Sequence, residues 1–157
     1  MPSLPRELKG SNSGWRQESL PVVALCTRDL FFSMRIQNGL ERLQLWPVEV
    51  QSILELERAH PVLAIIELEV GRVLALPLLT RARELGIPSL AFGAHRDTLL
   101  WAEARAAGAE KIVAKSALVR QFNRLVLTLL DRDNEDNSQS STFKREDDDG
   151  SNHIHSV

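Results

Sequence analysis

The chain lacks several features that define common classes of protein. It has one cysteine, Cys26, in 157 residues, so no internal disulfide can form, and the apolar run around it predicts a buried, reduced thiol. No apolar run approaches the roughly 20 residues that span a bilayer. The first 20 residues contain prolines and glycines where a signal peptide would need an apolar segment. We therefore expect a soluble, cytoplasmic protein that does not insert into a membrane.

The distribution of charge argues against a nucleic-acid-binding surface. The formal net charge is -2, and the middle of the chain has a weak basic excess, whereas nucleic-acid binding needs basic residues clustered on one surface. Much of the acidity lies near the C-terminus, where residues 131–157 hold eight acidic and three basic side chains. This segment has almost nothing to bury, and we expect it to be disordered.

Motifs for nucleotide binding, metal binding and nucleophilic catalysis are also missing. The glycines never take the Gly-x-Gly-x-x-Gly spacing that cradles a dinucleotide phosphate, and the Gly-x-Ser-x-Gly motif of hydrolases is absent. The histidines are too scattered to bind a metal ion on one scaffold. The sequence accordingly predicts no enzyme activity, no catalytic residue, no cofactor and no metal site.

The most informative stretch that is present runs from Pro61 to Glu69. Val62 to Ile66 is apolar without alternation, and the run turns acidic at Glu67. A short run that is apolar on both faces is typical of a central strand in a parallel sheet. Ligands and chemistry gather at the carboxyl edge of such sheets, so Glu67 is the first candidate for a functional residue.

Strand-like and helix-like patterns alternate five times between residues 21 and 130. The predicted strands lie at 21–26, 43–46, 61–69, 87–92 and 111–114, and the predicted helices at 28–43, 49–59, 73–85, 98–107 and 117–130. This alternation predicts a doubly wound, five-stranded parallel sheet with helices on both faces. The chain then divides into a flexible leader (1–20), one α/β domain (21–130) and a disordered acidic tail (131–157).

Several residues make predictions about individual elements. We expect much of the inward stripe of the first helix to come from Leu30, Met34, Leu40 and Leu43. Asp29 is placed in its first turn, where a carboxylate suits the helix dipole. Pro47 limits how far the second strand extends. Pro77 is expected to kink the third helix or to delay its start.

Residues 21–130 resemble the receiver domain of bacterial two-component response regulators, which has a flavodoxin-like, CheY-like fold with strand order 2-1-3-4-5. The best match is the last third, where Ala106 to Ala109 reads Ala-Ala-Gly-Ala and a strand then ends at Lys115. In receivers, an acidic pair after strand one holds Mg²⁺ and an aspartate at the end of strand three accepts a phosphoryl group. A Thr or Ser after strand four senses that group, and a lysine after strand five pairs with it.

The resemblance places these roles on five residues of this sequence. The acidic pair falls on Arg28 and Asp29, the acceptor on Glu67, the hydroxyl position on Gly93 and the lysine on Lys115. Three of the five positions have changed type, because Arg28 is a cation, Glu67 is one methylene longer than aspartate, and Gly93 has no hydroxyl. The resemblance therefore implies a degenerate site. We expect Glu67 to face Arg28 and Lys115 in a permanent ion cluster.

The fourth predicted helix carries more apolar residues than one inward stripe requires. Because Leu100, Ala104 and Ala107 satisfy the buried face, we expect Trp101 to point sideways or outward as an interface anchor. In receivers the surface formed by helix four, strand five and helix five is the usual docking and dimerisation surface, and the resemblance implies the same here. The polar contacts of this surface would come from Arg105, Lys111, Arg120 and Arg124.

The function expected from these features is regulatory. We predict a stand-alone, degenerate receiver that acts as a phosphorylation-independent protein-interaction or signalling module and binds another protein, or itself as a homodimer. One alternative is an atypical response regulator that is phosphorylated in a two-component phosphorelay. A second alternative is a small-ligand-binding flavodoxin-like domain that uses the same edge of the sheet.

Overall fold

Strands and helices alternate throughout residues 20–131, the part of the chain that the computed structural model describes. The strands are β1 (Val22–Cys26), β2 (Trp46–Glu49), β3 (Leu63–Glu67), β4 (Ser89–Gly93) and β5 (Lys111–Ala114). The helices are α1 (Leu30–Arg42), α2 (Ile53–Ala59), α3 (Arg72–Glu84), α4 (Thr98–Ala107), α5 (Lys115–Arg120) and α6 (122–131). A 3-10 turn, Leu68–Val70, connects β3 to α3. The predicted leader and acidic tail lie outside the described residues, except for residues 20 and 131.

The five strands form one parallel sheet in the order β2-β1-β3-β4-β5. This confirms the predicted doubly wound, flavodoxin-like architecture and the central position of β3, whose five residues are all buried. The register aligns the ends of the strands, since Glu67 pairs with Phe92 and Gly93 with Ala114. The residues that end β3 and β4 therefore lie at the same carboxyl edge as the start of α5.

The two faces of the sheet are covered by different kinds of side chain. One face packs large residues of the strands, such as Leu63, Ile65 and Phe92, against α1, α5 and α6. The other face presents alanines in β1, β3 and β4 to α2, α3 and α4, which contribute alanines of their own. Fully burying a large apolar side chain stabilises a fold by about 1.5–3 kcal/mol. Both faces gain stability in this way, because the second face also buries large side chains such as Ile66, Leu78 and Leu79.

Strand β2 lies three residues beyond the predicted position, so the prediction of residues 43–46 was wrong. Pro47 was expected to limit the strand but lies inside it. The backbone N–H groups of Trp46 and Val50 bond to β1, at Pro21 O (2.8 Å) and Leu25 O (2.9 Å). Because alternate residues of a parallel strand face opposite neighbours, the nitrogen of Pro47 faces the open edge. No ladder hydrogen bond is lost there.

The predicted inward stripe of α1 is right for Leu40 and Leu43 and wrong for Leu30 and Met34. Leu30 and Met34 are 79% and 65% exposed, and the buried residues are Ser33, Ile36 and Leu40. A polar contact also fixes the position of the helix. The Ser33 hydroxyl donates to Glu49 at the end of β2 at 3.0 Å.

The remaining helices agree with the predictions in part. Helix α4 and strand β5 have the predicted bounds, and Gly108 ends α4 in the left-handed conformation (φ 116°). Helix α3 begins at Arg72 and passes through the exposed Pro77, so a delayed start was wrong. The predicted final helix is divided at Gln121 into α5 and α6. Within residues 20–131, no helix has the length and apolar character needed to cross a membrane.

Candidate functional site

Glu67 ends the central strand with a carboxylate that is almost completely buried, at 2% exposure. Its Oε1 accepts two hydrogen bonds, from the Thr27 hydroxyl at 2.8 Å and from the Arg28 backbone N–H at 2.9 Å. Its Oε2 lies 3.2 Å from Lys115 Nζ. A buried charge is tolerated when it is paired and hydrogen-bonded. Both oxygens of Glu67 are therefore engaged by neighbours from two other segments of the chain, the loop after β1 and the start of α5.

Lys115 is shared between two carboxylates. Its ammonium lies 3.2 Å from Glu67 Oε2 and 3.1 Å from Glu69 Oε2, and it also stands 5.3 Å from the centre of the Phe32 ring. Burial by itself lowers the pKa of Lys115, but the hydrogen bonds to Glu69 and Glu67 outweigh it, and the net shift is upward. The lysine therefore keeps its positive charge at neutral pH.

Glu69 connects this ion cluster to the loop after β4. Its Oε1 accepts the Ala94 backbone N–H at 3.1 Å, and the Ala94 carbonyl accepts the indole N–H of Trp101 at 3.0 Å. Glu69 lies in the 3-10 turn that follows β3. The sequence analysis did not identify Glu69, although its position two residues after Glu67 was a signal for a second carboxylate at the same edge.

Arg28 contributes to the site in a different way from the one predicted. Its backbone N–H faces Glu67, and its side chain is exposed and makes no ion pair within residues 20–131. The predicted pairing of Glu67 with two cations is thus seen for Lys115 alone. The hydroxyl of Thr27, which sequence reasoning did not select, occupies the place expected for the second cation.

Asp29 serves as the N-cap of α1. Its Oδ1 accepts the backbone N–H groups of Phe31 at 2.9 Å and Phe32 at 3.2 Å, the usual role of aspartate before a helix. Its own N–H donates to Thr27 Oγ1 at 3.2 Å. The sequence analysis placed Asp29 in the first turn of α1, but it lies one position before that turn. Its carboxylate caps the start of the helix.

The donor set at this edge does not fit a magnesium ion. Mg²⁺ prefers carboxylate oxygens, but Arg28 stands where the resemblance implies one of the acids, Asp29 caps α1, and Glu67 is paired with Lys115. Among the described residues, no group of three or more His, Cys, Asp or Glu side chains is arranged to hold a metal ion.

Gly93 lies buried at the end of β4, where the resemblance implies a hydroxyl. A Cβ atom added to Gly93 would lie 3.3 Å from the Cβ of Leu68, which is itself buried. This distance is shorter than an ordinary van der Waals contact. The space of the missing side chain is therefore occupied in part by Leu68.

Cys26 ends β1 next to this site, and its thiol is free and buried, as predicted. Burial, and then the negative charges of Glu67 and Glu55, raise the pKa of Cys26 to about 11. Since the thiolate is the reactive form of cysteine, we expect this thiol to react slowly at neutral pH.

The residues predicted to form an interface are only partly free. Trp101 is half-buried, packs against the alanine-rich core and donates its indole N–H to Ala94. The four charged residues predicted beside it, Arg105, Lys111, Arg120 and Arg124, are all exposed. Their role in binding a partner stays a prediction.

Comparison with known proteins finds similarity in structure alone. No protein-family model and no curated protein sequence matches the chain. A response regulator from Thermotoga maritima matches with 19% identity and a TM-score of 0.60, over 71% of this chain and 98% of that one. A CheY-like response regulator receiver domain protein from Methanospirillum hungatei JF-1 matches with 17% identity and a TM-score of 0.66, over 75% and 99%.

A third similar structure is a response regulator from Burkholderia pseudomallei that contains a phosphorylated aspartic acid, a calcium ion and citrate. It matches with 18% identity and a TM-score of 0.56, over 70% of this chain and 66% of that one. At these identities the likeness concerns the fold. Residues 20–131 have the CheY-like receiver fold, with strand order 2-1-3-4-5.

Proposed function

We propose, with the receiver fold of this chain as the premise, that it is a non-enzymatic, protein-binding regulatory domain whose switch site is held in one state by an internal ion pair. The domain works without phosphorylation. The observation that carries the proposal is the full engagement of the buried Glu67 carboxylate by Thr27, Arg28 and Lys115.

The hydrogen bonds of Glu67 oppose attack on a phosphoryl donor. Oε1 already accepts two hydrogen bonds, and the positive charge of Lys115 at 3.2 Å from Oε2 makes that oxygen a weaker nucleophile. The extra methylene of Glu67 also displaces the oxygens by roughly 1.5 Å relative to an aspartate. A misplacement of about 1 Å can cost on the order of a hundredfold in rate. In the similar structure from Burkholderia pseudomallei, the phosphorylated residue is an aspartic acid.

The surroundings of Glu67 lack the other groups that the resemblance assigns to phosphate signalling. Arg28 and the capping role of Asp29 remove the acidic pair, and Gly93 has no hydroxyl, with Leu68 against its α-carbon. Lys115 keeps its partner without a phosphoryl group, because Glu67 and Glu69 supply the negative charge. The site thus has a fixed charge arrangement where a receiver has a variable one.

Intact mass measurement tests the absence of phosphotransfer. The full chain is incubated with acetyl phosphate and Mg²⁺, and we expect no added phosphoryl group. The matched positive control carries Arg28→Asp, Glu67→Asp and Gly93→Thr together with Leu68→Ala, which makes room for the new side chain. We expect this variant to accept a phosphoryl group. Phosphorylation of the unaltered chain would instead establish the atypical response regulator.

Protein binding is tested separately from phosphorylation. Affinity capture from the native host is compared between the unaltered chain and a variant with Arg105→Glu and Lys111→Glu, which reverses two exposed charges of the predicted interface. Light scattering over a range of concentrations tests self-association with the same pair of proteins. A monomer that captures no partner in either form would contradict the binding function.

A further inference from the structure

A second feature of the surface is a groove between α1 and the break that separates α5 from α6. Its volume is about 320 Å³. Two arginines of α1, Arg35 and Arg42, line it. The larger apolar side chains that line it are Phe32, Ile36, Leu118, Val119 and Phe122. We call this feature the α1–α6 groove.

The floor of the groove depends on a close contact between two helices. The ring of Phe122, at the start of α6, lies directly over the bare backbone of Gly39 in α1, where an added Cβ would approach the ring to 2.6 Å. The interruption of the helix at Gln121 precedes Phe122. The groove is therefore built into the packing of α1 against α6.

Positive charge surrounds this groove. Arg35 and Arg42 are exposed on α1, and Arg120 and Arg124 line an adjoining depression that shares Phe122 and Val119 with it. Among residues 20–131, no acidic side chain lines either of the two. None of the four arginines forms an ion pair within residues 20–131, although Arg35 lies 5.4 Å from the centre of the Phe31 ring. The surface combines an apolar floor with an uncompensated basic rim.

We propose that the α1–α6 groove binds the acidic C-terminal segment of the same chain. Phe143 precedes the continuous acidic run from Glu146 to Asp149, with Lys144 and Arg145 between them. In the proposed complex Phe143 covers the apolar floor, and the acidic run pairs with the arginines of the rim. Charge-assisted hydrogen bonds between arginine and carboxylate are the strongest kind available to such a contact.

The dimensions of the segment suit the groove. Arg35 and Arg42 are two helical turns apart, a rise of about 10 Å. The extended run from Glu146 to Asp149 also spans about 10 Å. Helix α6 spans about 14 Å from Phe122 to Asp131, and an unstructured chain as long as the 15 residues between 131 and 146 would have a typical reach of about 20 Å. The acidic run can therefore return to the groove.

Covalent attachment favours this occupant over an independent acidic protein. A short flexible linker gives a tethered segment an effective concentration in the millimolar range. Residues 132–157 carry seven acidic and three basic side chains, so the segment is opposite in charge to the rim. An acidic segment from another protein or from a second copy would have to compete with it.

Paramagnetic relaxation in the full chain tests this proposal. A nitroxide is attached to Ser151→Cys, and the buried Cys26 leaves the introduced thiol as the preferred target. We expect loss of amide signal at Arg35, Gly39 and Phe122. The signal should return when Asp147, Asp148 and Asp149 are all replaced by lysine.

Charge reversal of the rim supplies the complementary measurement. The amide signal should also return with Arg35→Glu and Arg42→Glu. When these changes are combined with the lysine-substituted tail, opposite charges face each other again and the amide signal should again be lost. Arg58→Glu, on the exposed surface of α2, is the matched control and should leave the loss unchanged. The amide spectrum itself shows whether each variant is folded.

Three results would overturn the proposal. The first is no loss of signal at the groove in the unaltered sequence, and the second is an equal effect of Arg58→Glu, which would indicate nonspecific attraction. The third comes from a mixture of spin-labelled chains without isotope enrichment and isotope-enriched chains without the spin label. Loss of signal only in this mixture would make a second copy the occupant.

Discussion

Lys115 Nζ lies 3.2 Å from Glu67 Oε2, so the residue that follows the edge strand β5 is paired with the residue that ends the central strand β3. The carboxylate is buried, whereas the lysine is partly exposed. Because the buried Glu67 carboxylate depends on this cation, loss of the pair should lower the stability of the fold.

Lys115→Met should destabilise the protein. The change leaves a buried carboxylate without its cation, and losing a hydrogen bond to a charged group costs about 1.5–3 kcal/mol in the free energy of unfolding. Urea denaturation measures this loss. Lys111→Met, at an exposed position of β5, should change the free energy by less than about 0.5 kcal/mol. Equal effects of the two substitutions would contradict a special role for the ion pair.

The same lysine predicts a loss of stability at alkaline pH. The folded pKa of Lys115 is raised, so its contribution is fully present below the unfolded pKa of about 10.4 and is lost as the pH rises through the folded pKa. Urea midpoints measured across this range should fall with pH. Both proteins carry Cys26→Ala, which removes the titration of the thiol. The fall in the urea midpoint should be smaller with Lys115→Met than with Lys115 retained.

Thr27 should contribute through its hydroxyl. Thr27→Val keeps the shape of the side chain but removes the donor to Glu67 Oε1, and we expect a loss of about 1–3 kcal/mol because a buried charge loses a partner. Thr27→Ser retains the hydroxyl and is the matched control. If urea denaturation found valine and serine equally tolerated, the hydrogen bond would not matter for stability.

Gly93→Thr should be destabilising because its side chain meets Leu68. A Cβ at position 93 would lie 3.3 Å from the Leu68 Cβ, and overpacking of this kind costs about 1–3 kcal/mol. Leu68→Ala alone removes a buried side chain and should cost about 2–5 kcal/mol. In the double variant the cost should be smaller than the sum of the two. Strict additivity in the denaturation experiment would show that the residues do not compete for space.

Cys26 should react slowly with thiol reagents while the protein is folded. Its pKa is raised to about 11, first by burial and then by Glu67 and Glu55. At pH 8 the rate of alkylation should increase sharply when urea unfolds the chain. Since an unfolded thiol has a pKa of about 8.5, the raised value also makes stability fall as the pH rises from there toward the folded pKa. Fast labelling of the folded protein would indicate that the carboxyl end of β1 is accessible to solvent.

The parts of the fold that were predictable are those fixed by local sequence. Helix α4 and strand β5 are bounded by local signals, including the glycine cap at Gly108. The position of β2 was missed because the tolerance of Pro47 depends on which side of the strand faces a neighbour. Leu30 and Met34 were misplaced because apolar residues occur on more than one side of α1, and contacts with β2 and β4 determine which side is buried.

The site shows the same division. The meeting of Glu67 with Lys115 follows from strand order, because the ends of parallel strands share one edge. The direction of the Arg28 side chain was not predictable, since it follows from which backbone group of the loop faces Glu67. The contact of Glu69 with Lys115 depends on the direction that the 3-10 turn after β3 gives to this side chain, and a sequence pattern does not specify that direction.

The outward-facing nitrogen of Pro47 limits how copies of this domain can associate. An additional strand laid along β2 would meet a pyrrolidine ring where it requires an N–H donor, and prolines at sheet edges oppose such pairing. Growth of the sheet across two molecules is therefore disfavoured on the β2 side. Partners that approach from this side must be recognised by side chains on the helices and not by backbone pairing.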